Sequence, residues 1–234
     1  VLEALKGGQA IQKLYIQANT SGRIVEEIIH AAQQKRVLMA EVSYEKITQI
    51  SKSPQHQGIV ALLAEQAVLG IDELIAQAKE VDNPLLVLLD MIQDPHNLGA
   101  IIRTAESVGA QGVVITKHNS APLNETAVKS SAGAAAHIPI SVVHNLAQVL
   151  DILKDAGFWI VGSSLQNSTD YRDVDYKRPI AVIIGNEEKG IRPLTASHCD
   201  HLVKIPMRGK INSLNASVAA GVLLYEIASR RERT

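Results

Sequence analysis

Five short runs in this chain carry almost no polar side chain: Leu85–Leu89, Val113–Ile115, Phe158–Val161, Ile180–Ile184 and Leu202–Ile205, with Lys204 the one charge among them. A strand with one wet face alternates polar and apolar residues, so a strand without alternation is buried on both faces. Helix-length segments separate these runs. The expected fold is therefore α/β, a parallel sheet with helices on both faces. Five strands are too few for an eight-stranded barrel, which leaves an open sheet. Ligands of open sheets bind beyond the carboxyl ends of the strands, and three of these ends lead into polar loops.

The 234 residues, 46% of them hydrophobic, supply core for one large or two modest domains. The single cysteine, Cys199, excludes an internal disulfide framework and fits a reducing, cytoplasmic setting. No run approaches the ~18 apolar residues of a membrane span. The first residues lack the order of a signal peptide, and the start at Val1 rather than Met leaves room for residues before it. A net charge of −1 does not announce a general nucleic-acid binder. Basic patches are confined to Lys35-Arg36, Lys177-Arg178, Lys204 with Arg208 and Lys210, and Arg230, Arg231 and Arg233. At 3% aromatics a base-stacking platform is not expected, so any nucleic acid is held by shape and phosphate contacts.

Residues 1–66 read as a small alternating unit. Leu2 to Lys6 forms a helix stopped by Gly7-Gly8, and Lys13–Gln17, Val37–Val42 and Gly58–Leu63 form strands. Ser21 caps a helix with Ile24, Ile28, Ala31 and Ala32 on one face, and Ser43 or Tyr44 opens another. Residues 67–83, a polar helix followed by Asp82-Asn83-Pro84, read as a connector, which leaves 84–234 for the sheet domain.

The first polar loop, from Asp90 to Gly99, enters a helix with Leu98, Ile101, Ile102, Ala105 and Val108 toward the core. Asn97 stands at the helix start, where free N–H groups favour a polar or anionic ligand. Arg103 lies about 9 Å further along by helix rise, and its arm tilts back toward the same region. The second loop is Gly185-Asn-Glu-Glu-Lys-Gly190-Ile-Arg192. Its Gly-x4-Gly spacing lacks the Lys-Ser/Thr of a triphosphate loop, and no Gly-x-Gly-x-x-Gly follows the first sheet strand. Glu187 and Glu188 suit a cationic or hydroxyl-bearing ligand instead. The third runs from Ile205 to Asn215 into a helix apolar nearly all round, with Asn215 or Ser213 as its cap. Each loop by itself is equally a solvated turn. His198-Cys199-x-His201 offers three metal ligands without a fourth, and Gly162-Ser163-Ser164 lacks a hydrolase elbow.

Together, Asp94-Pro-His-Asn-Leu-Gly-Ala-Ile-Ile-Arg-Thr-Ala105, Ile184-Gly-Asn-Glu-x-x-Gly190 and Ile205-Pro-Met-x-Gly-x-x-x-Ser-Leu-Asn-x-Ser-x-Ala219 resemble the three ordered motifs of the SpoU family. These are RNA ribose 2′-O-methyltransferases of the SPOUT superfamily. The likeness spans roughly residues 85–230, and residues 1–66 resemble, more weakly, the ribosomal-protein-like RNA-binding module of the subgroup that methylates guanosine in 23S ribosomal RNA. The resemblance implies a C-terminal trefoil knot, S-adenosylmethionine as cofactor beside Gly185, Ile205 and Leu214, no metal, and a homodimer formed through the knotted domain. It also implies Asn97, Arg103, Glu187, Ser213 and Asn215 as the catalytic set. Arg103 is the family's base, yet a guanidinium normally stays protonated, so a phosphate clamp is the second version. A transfer-RNA methyltransferase would share all three motifs, and a non-catalytic RNA-binding homologue is the remaining alternative.

Overall fold

The computed structural model describes residues 1–6, 11–63, 68–210 and 213–232. Two compact units emerge, Val1–Gln66 and Ala67–Thr234. The first comprises α1 (Leu2–Lys6), β1 (Ile11–Gln17), α2 (Arg23–Gln34), β2 (Leu38–Val42), α3 (Tyr44–Ser51) and β3 (Ile59–Leu63). β1 is central, parallel to β2 and antiparallel to β3. Leu5, Leu14, Ile28, Ala32 and Ile59 form its small core. Ile28 and Ala32, one helical turn apart, are buried as their spacing requires, but Ile24 is 66% exposed at the start of α2. Gly22 rather than Ser21 caps that helix, with no side-chain bond, whereas Ser43 caps α3 by accepting from the Lys46 N–H. The stop at Gly7-Gly8 lies outside the described residues.

The second unit comprises β4 (Val68–Leu69), α4 (Ile71–Ala78), β5 (Leu85–Leu89), α5 (Pro95–Ser107), β6 (Gly112–Thr116), α6 (Glu125–Ser130), β7 (Ile140–Val143), α7 (Leu146–Asp155), β8 (Trp159–Ser163), β9 (Thr169–Asp170), β10 (Ile180–Ile184), α8 (Pro193–Ser197), β11 (His201–Lys204) and α9 (Ala216–Glu232). Among the described residues the sheet has eight strands, in the order β4-β7-β6-β5-β10-β8-β11-β9, and every pairing is parallel. That is three more than the apolar runs announce. β4 and β9 are two residues long, too short to show a period, and β7 carries Ser141 inside its four residues. The sheet stays open, with β4 and β9 at its edges. Residues 67–83, expected as a connector, hold β4 and α4; β4 pairs with β7, and α4 buries Leu74, Ile75 and Ala78 in this unit's core.

Alternate residues of the buried strands feed two separate cores. Leu85, Val87 and Leu89 join Val182 and Ile184 under α5 and α9, while Leu86, Leu88, Ala181 and Ile183 pack against α4 and α7. A polar residue at either parity would lose a burial term of about 1.5–3 kcal/mol, which is why these runs show no alternation. From β5 the chain first builds outward to β6 and β7, and later returns to place β10 on the other side of β5. The boundary between β5 and β10 is thus a topological switch point, and the loops leaving these two strands lead to Asn97 and Glu187.

Candidate active site

Asp94 caps α5 by accepting from the His96 N–H at 2.9 Å, and Pro95 occupies the first turn, where its missing N–H costs nothing. Asn97 is therefore freed from capping. It sits 9% exposed, and its amide reaches toward the loop that follows β10. Asn97 Nδ2 donates to Glu187 Oε1 at 2.6 Å. Asn215 Nδ2 donates to Asn97 Oδ1 at 3.0 Å and lies 3.5 Å from Glu187 Oε1, which also accepts from the Ala216 N–H at 3.3 Å. At the other end of the same amide, Asn215 Oδ1 accepts from the N–H groups of Ser217 (3.0 Å) and Val218 (3.4 Å), capping α9. Backbone donors permit only an oxygen there, so the Asn215 nitrogen must face Asn97. Asn97 must then present its oxygen to Asn215 and its nitrogen to Glu187. One capped helix end thereby orients a chain of three side chains.

The loop carrying Glu187 is built to hold it. Asn186 and Gly190 exchange two backbone bonds, at 3.1 and 2.9 Å, and Asn186 Oδ1 accepts from the N–H groups of Glu188 and Lys189. A Cβ on Gly185 would lie 2.4 Å from the carbonyl carbon of Gly190 and 2.5 Å from the Ile191 nitrogen, so only glycine lets the loop fold over its own start. Beside it opens a cleft of about 560 Å³, lined among others by Gly185, Glu187, Ile205, Ser213, Leu214 and Ala219. Ser163 to Asn167, which hold no hydrolase nucleophile motif, form part of its wall.

Arg103 stands apart from both the cluster and the cleft. It is exposed, and among the described residues its guanidinium has no partner. Six residues at about 100° each turn it roughly 240° around α5 from Asn97, so the two side chains leave different faces of the helix. Two residues escaped the sequence reading, Asp90 and Arg192. Asp90, directly after β5, is fully buried and accepts from Arg192 Nε at 2.7 Å and Arg192 N at 2.9 Å. The available signal was a lone acid closing an otherwise all-apolar strand. His198, Cys199 and His201 go to different partners: His198 Nδ1 to the Leu194 carbonyl, Cys199 Sγ to the Thr195 carbonyl, and His201 to a stack on Trp159. Burial, reinforced by the charge of Asp200, pushes the Cys199 thiol up to about 12. Among the described residues no cluster of three or more His, Cys, Asp or Glu could hold a metal ion, and no helix is long and apolar enough to cross a membrane.

An open parallel sheet with a polar cluster at its switch point and a cleft over the neighbouring ends of β8, β10 and β11 defines an α/β domain that binds a small molecule beside a reacting group. Residues 84–225 match the model of the SpoU rRNA methylase family, and residues 1–68 match that of the RNA 2′-O ribose methyltransferase substrate-binding domain. A Staphylococcus saprophyticus protein named for the TrmH family of tRNA/rRNA methyltransferases is 43% identical over 99% of this chain and 93% of its own length. Among solved structures, the SpoU methyltransferase AviRb of Streptomyces viridochromogenes matches with TM-score 0.75 at 26% identity, over 98% of this chain and 85% of that one. An AdoMet-bound rRNA methyltransferase of Sinorhizobium meliloti matches with TM-score 0.73 at 29% identity, over 100% and 84%. The chain belongs to the SpoU rRNA methylase family. It is an RNA ribose 2′-O-methyltransferase that takes its methyl group from S-adenosylmethionine.

Proposed function

We propose that this enzyme methylates the ribose 2′-hydroxyl of one nucleotide, a guanosine, in 23S ribosomal RNA. The observation that carries the catalytic assignment is the Asn215–Asn97–Glu187 chain of hydrogen bonds, whose terminal carboxylate also lines the cleft. The cleft suits the cofactor: it is partly apolar, and Gly185, Ile205 and Leu214 all line its wall. S-adenosylmethionine, when bound, supplies an electrophilic methyl group on a sulfonium.

The residues of the chain supply positioning and proton handling. Glu187 Oε1 is occupied by Asn97, Asn215 and Ala216, while its second oxygen has no partner among the described residues and is available to a ribose hydroxyl. Ser213, exposed on the cleft wall, offers a further hydroxyl. The unpaired guanidinium of Arg103, on another face of α5, suits a bidentate clamp on a backbone phosphate of the RNA, with Glu187 or water taking the proton. Arg103 as the base, the role the family resemblance implies, is the alternative. Arg103→Lys separates them in a pH–rate profile: the clamp predicts a loss in rate with an unmoved profile, and a guanidine base predicts a shifted one.

The 23S assignment draws on the substrate-binding match over residues 1–68, while the names of relatives span tRNA and rRNA alike. Labelled methyl transfer to total RNA, followed by mapping of the protected ribose, tests it; modification confined to tRNA would overturn it. A C-terminal trefoil knot, a homodimer and a cytoplasmic location belong to the same reading. For the dimer, α9 buries Ala216, Ala220, Leu223, Leu224 and Ile227 on one side and leaves Val218 and Tyr225 51% and 59% exposed on the other. A monomeric mass in light scattering at working concentration would remove it.

A further inference from the structure

We infer that Asp90 and Arg192 form a positioning clasp that sets the Glu187 loop against the loop leading to Asn97. The inference rests on the reading of Glu187 as catalytic. Asp90 is the first residue past β5, and its N–H donates to the Ile184 carbonyl at 2.9 Å, extending the β5–β10 pairing by one step. Its carboxylate is wholly buried, and its two oxygens are taken by Arg192 Nε (2.7 Å) and Arg192 N (2.9 Å). Arg192 is the residue before α8 and the far end of the loop that begins at Gly185. One residue therefore ties both ends of the Glu187 loop to the strand that precedes Asn97, its N–H at Ile184 and its buried carboxylate at Arg192. The next residue confirms that this junction is constrained. Met91 adopts φ 61°, a region side chains rarely enter, and its carbonyl accepts from Asn186 Nδ2 at 3.4 Å. The 2.6 Å contact between Asn97 and Glu187 joins loops from two strands, and the clasp keeps their separation constant.

Asparagine offers one acceptor oxygen where Arg192 presents two donors, so Asp90→Asn breaks one arm of the clasp. A carboxylate that only held the fold together would then show lost stability with kcat unchanged. Asp90→Asn is expected to lower kcat by about 10²-fold while KM for RNA changes by less than about twofold. Hydrogen exchange should speed up within residues 186–192 and not across the remaining sheet. Combined with Glu187→Gln, the loss should be no greater than that of Glu187→Gln alone, since Asp90 acts through Glu187. Losses that multiply in the double variant would overturn the clasp and leave the role of Glu187 intact. A Glu187→Gln enzyme with the wild-type rate would sink that role and the clasp with it, even with loop exchange accelerated in Asp90→Asn. Should Asp90→Asn not fold, Arg192→Met retains the backbone bond and removes the side-chain bond to Asp90, and the same cycle applies to it. An Arg192→Met enzyme with unchanged kcat and loop exchange would also overturn the proposal.

Discussion

The amide of Asn215 faces two ways: its oxygen accepts from the backbone of α9 at Ser217 and Val218, and its nitrogen donates to Asn97. Asn215→Asp keeps the first role and inverts the second, placing an acceptor against Asn97 Oδ1 and Glu187 Oε1. Activity should fall by about 10²–10³-fold while the thermal midpoint stays close to wild type. Asn215→Ala should lose both activity and about 1 kcal/mol of stability, the usual cost of a lost cap. Parallel melting and methyl-transfer assays distinguish the two, and a fully active Asn215→Asp enzyme would reduce Asn215 to a cap. Cys199 shows the same dependence on surroundings. Burial disfavours the thiolate, so at pH 8 only about one thiol in 10⁴ is ionised in the folded chain. Alkylation by iodoacetamide at pH 8 should be about 10³-fold slower in the native chain than in urea.

Helices and loops of the second unit meet their neighbours through very few permitted residues. The loop after β10 can return over itself only because position 185 has no Cβ, the nearest atoms being backbone of Gly190 and Ile191 that cannot rotate away. Gly185→Ala should therefore reshape the cleft wall without removing a core side chain. The expected result is a cofactor Kd raised by at least about tenfold, read by calorimetric titration, with the chain still cooperatively folded. Cofactor binding at wild-type affinity would contradict Gly185 as part of the wall. At α5, Gly99 is equally constrained: a Cβ would lie 2.4 Å from the Ala127 carbonyl oxygen, so the helix that carries Asn97 is seated tightly on α6.

At the scale of the whole chain, the two units have separate cores, Leu5, Leu14 and Ile28 in one and the two faces of the parallel sheet in the other. Separate cores allow separate duties. We propose that the first unit, which matches the substrate-binding model, selects RNA and that the second performs transfer. A chain reduced to residues 67–234 should bind S-adenosylmethionine within about twofold of the full chain and lose discrimination between its target and bulk RNA. Full rate and full selectivity in that truncated chain would refute the division. Net charge of −1 gives the enzyme no general attraction for RNA, so selection depends on local patches whose contacts weaken with added salt.

Burial is a local property of a strand, and for that reason it could be read directly. The runs Leu85–Leu89 and Ile180–Ile184 coincide with β5 and β10, and the absence of alternation foretold helices on both faces. The three motifs likewise appear as contiguous letters. Strand order and side-chain meetings are not local. Asn97 and Glu187 lie 90 residues apart, and Asn97 and Asn215 118 apart; they touch because β10 returns to lie beside β5. The same return buries Asp90 against Arg192, a pairing that neither residue's neighbours in sequence announce. β4, β7 and β9 were hidden because strands of two to four residues carry no measurable period and are stabilised by the neighbours they pair with. The chain's own letters thus determined which residues are buried and which types of group the loops present. Long-range packing alone decided which of those groups face one another, and it left Arg103 outside their circle.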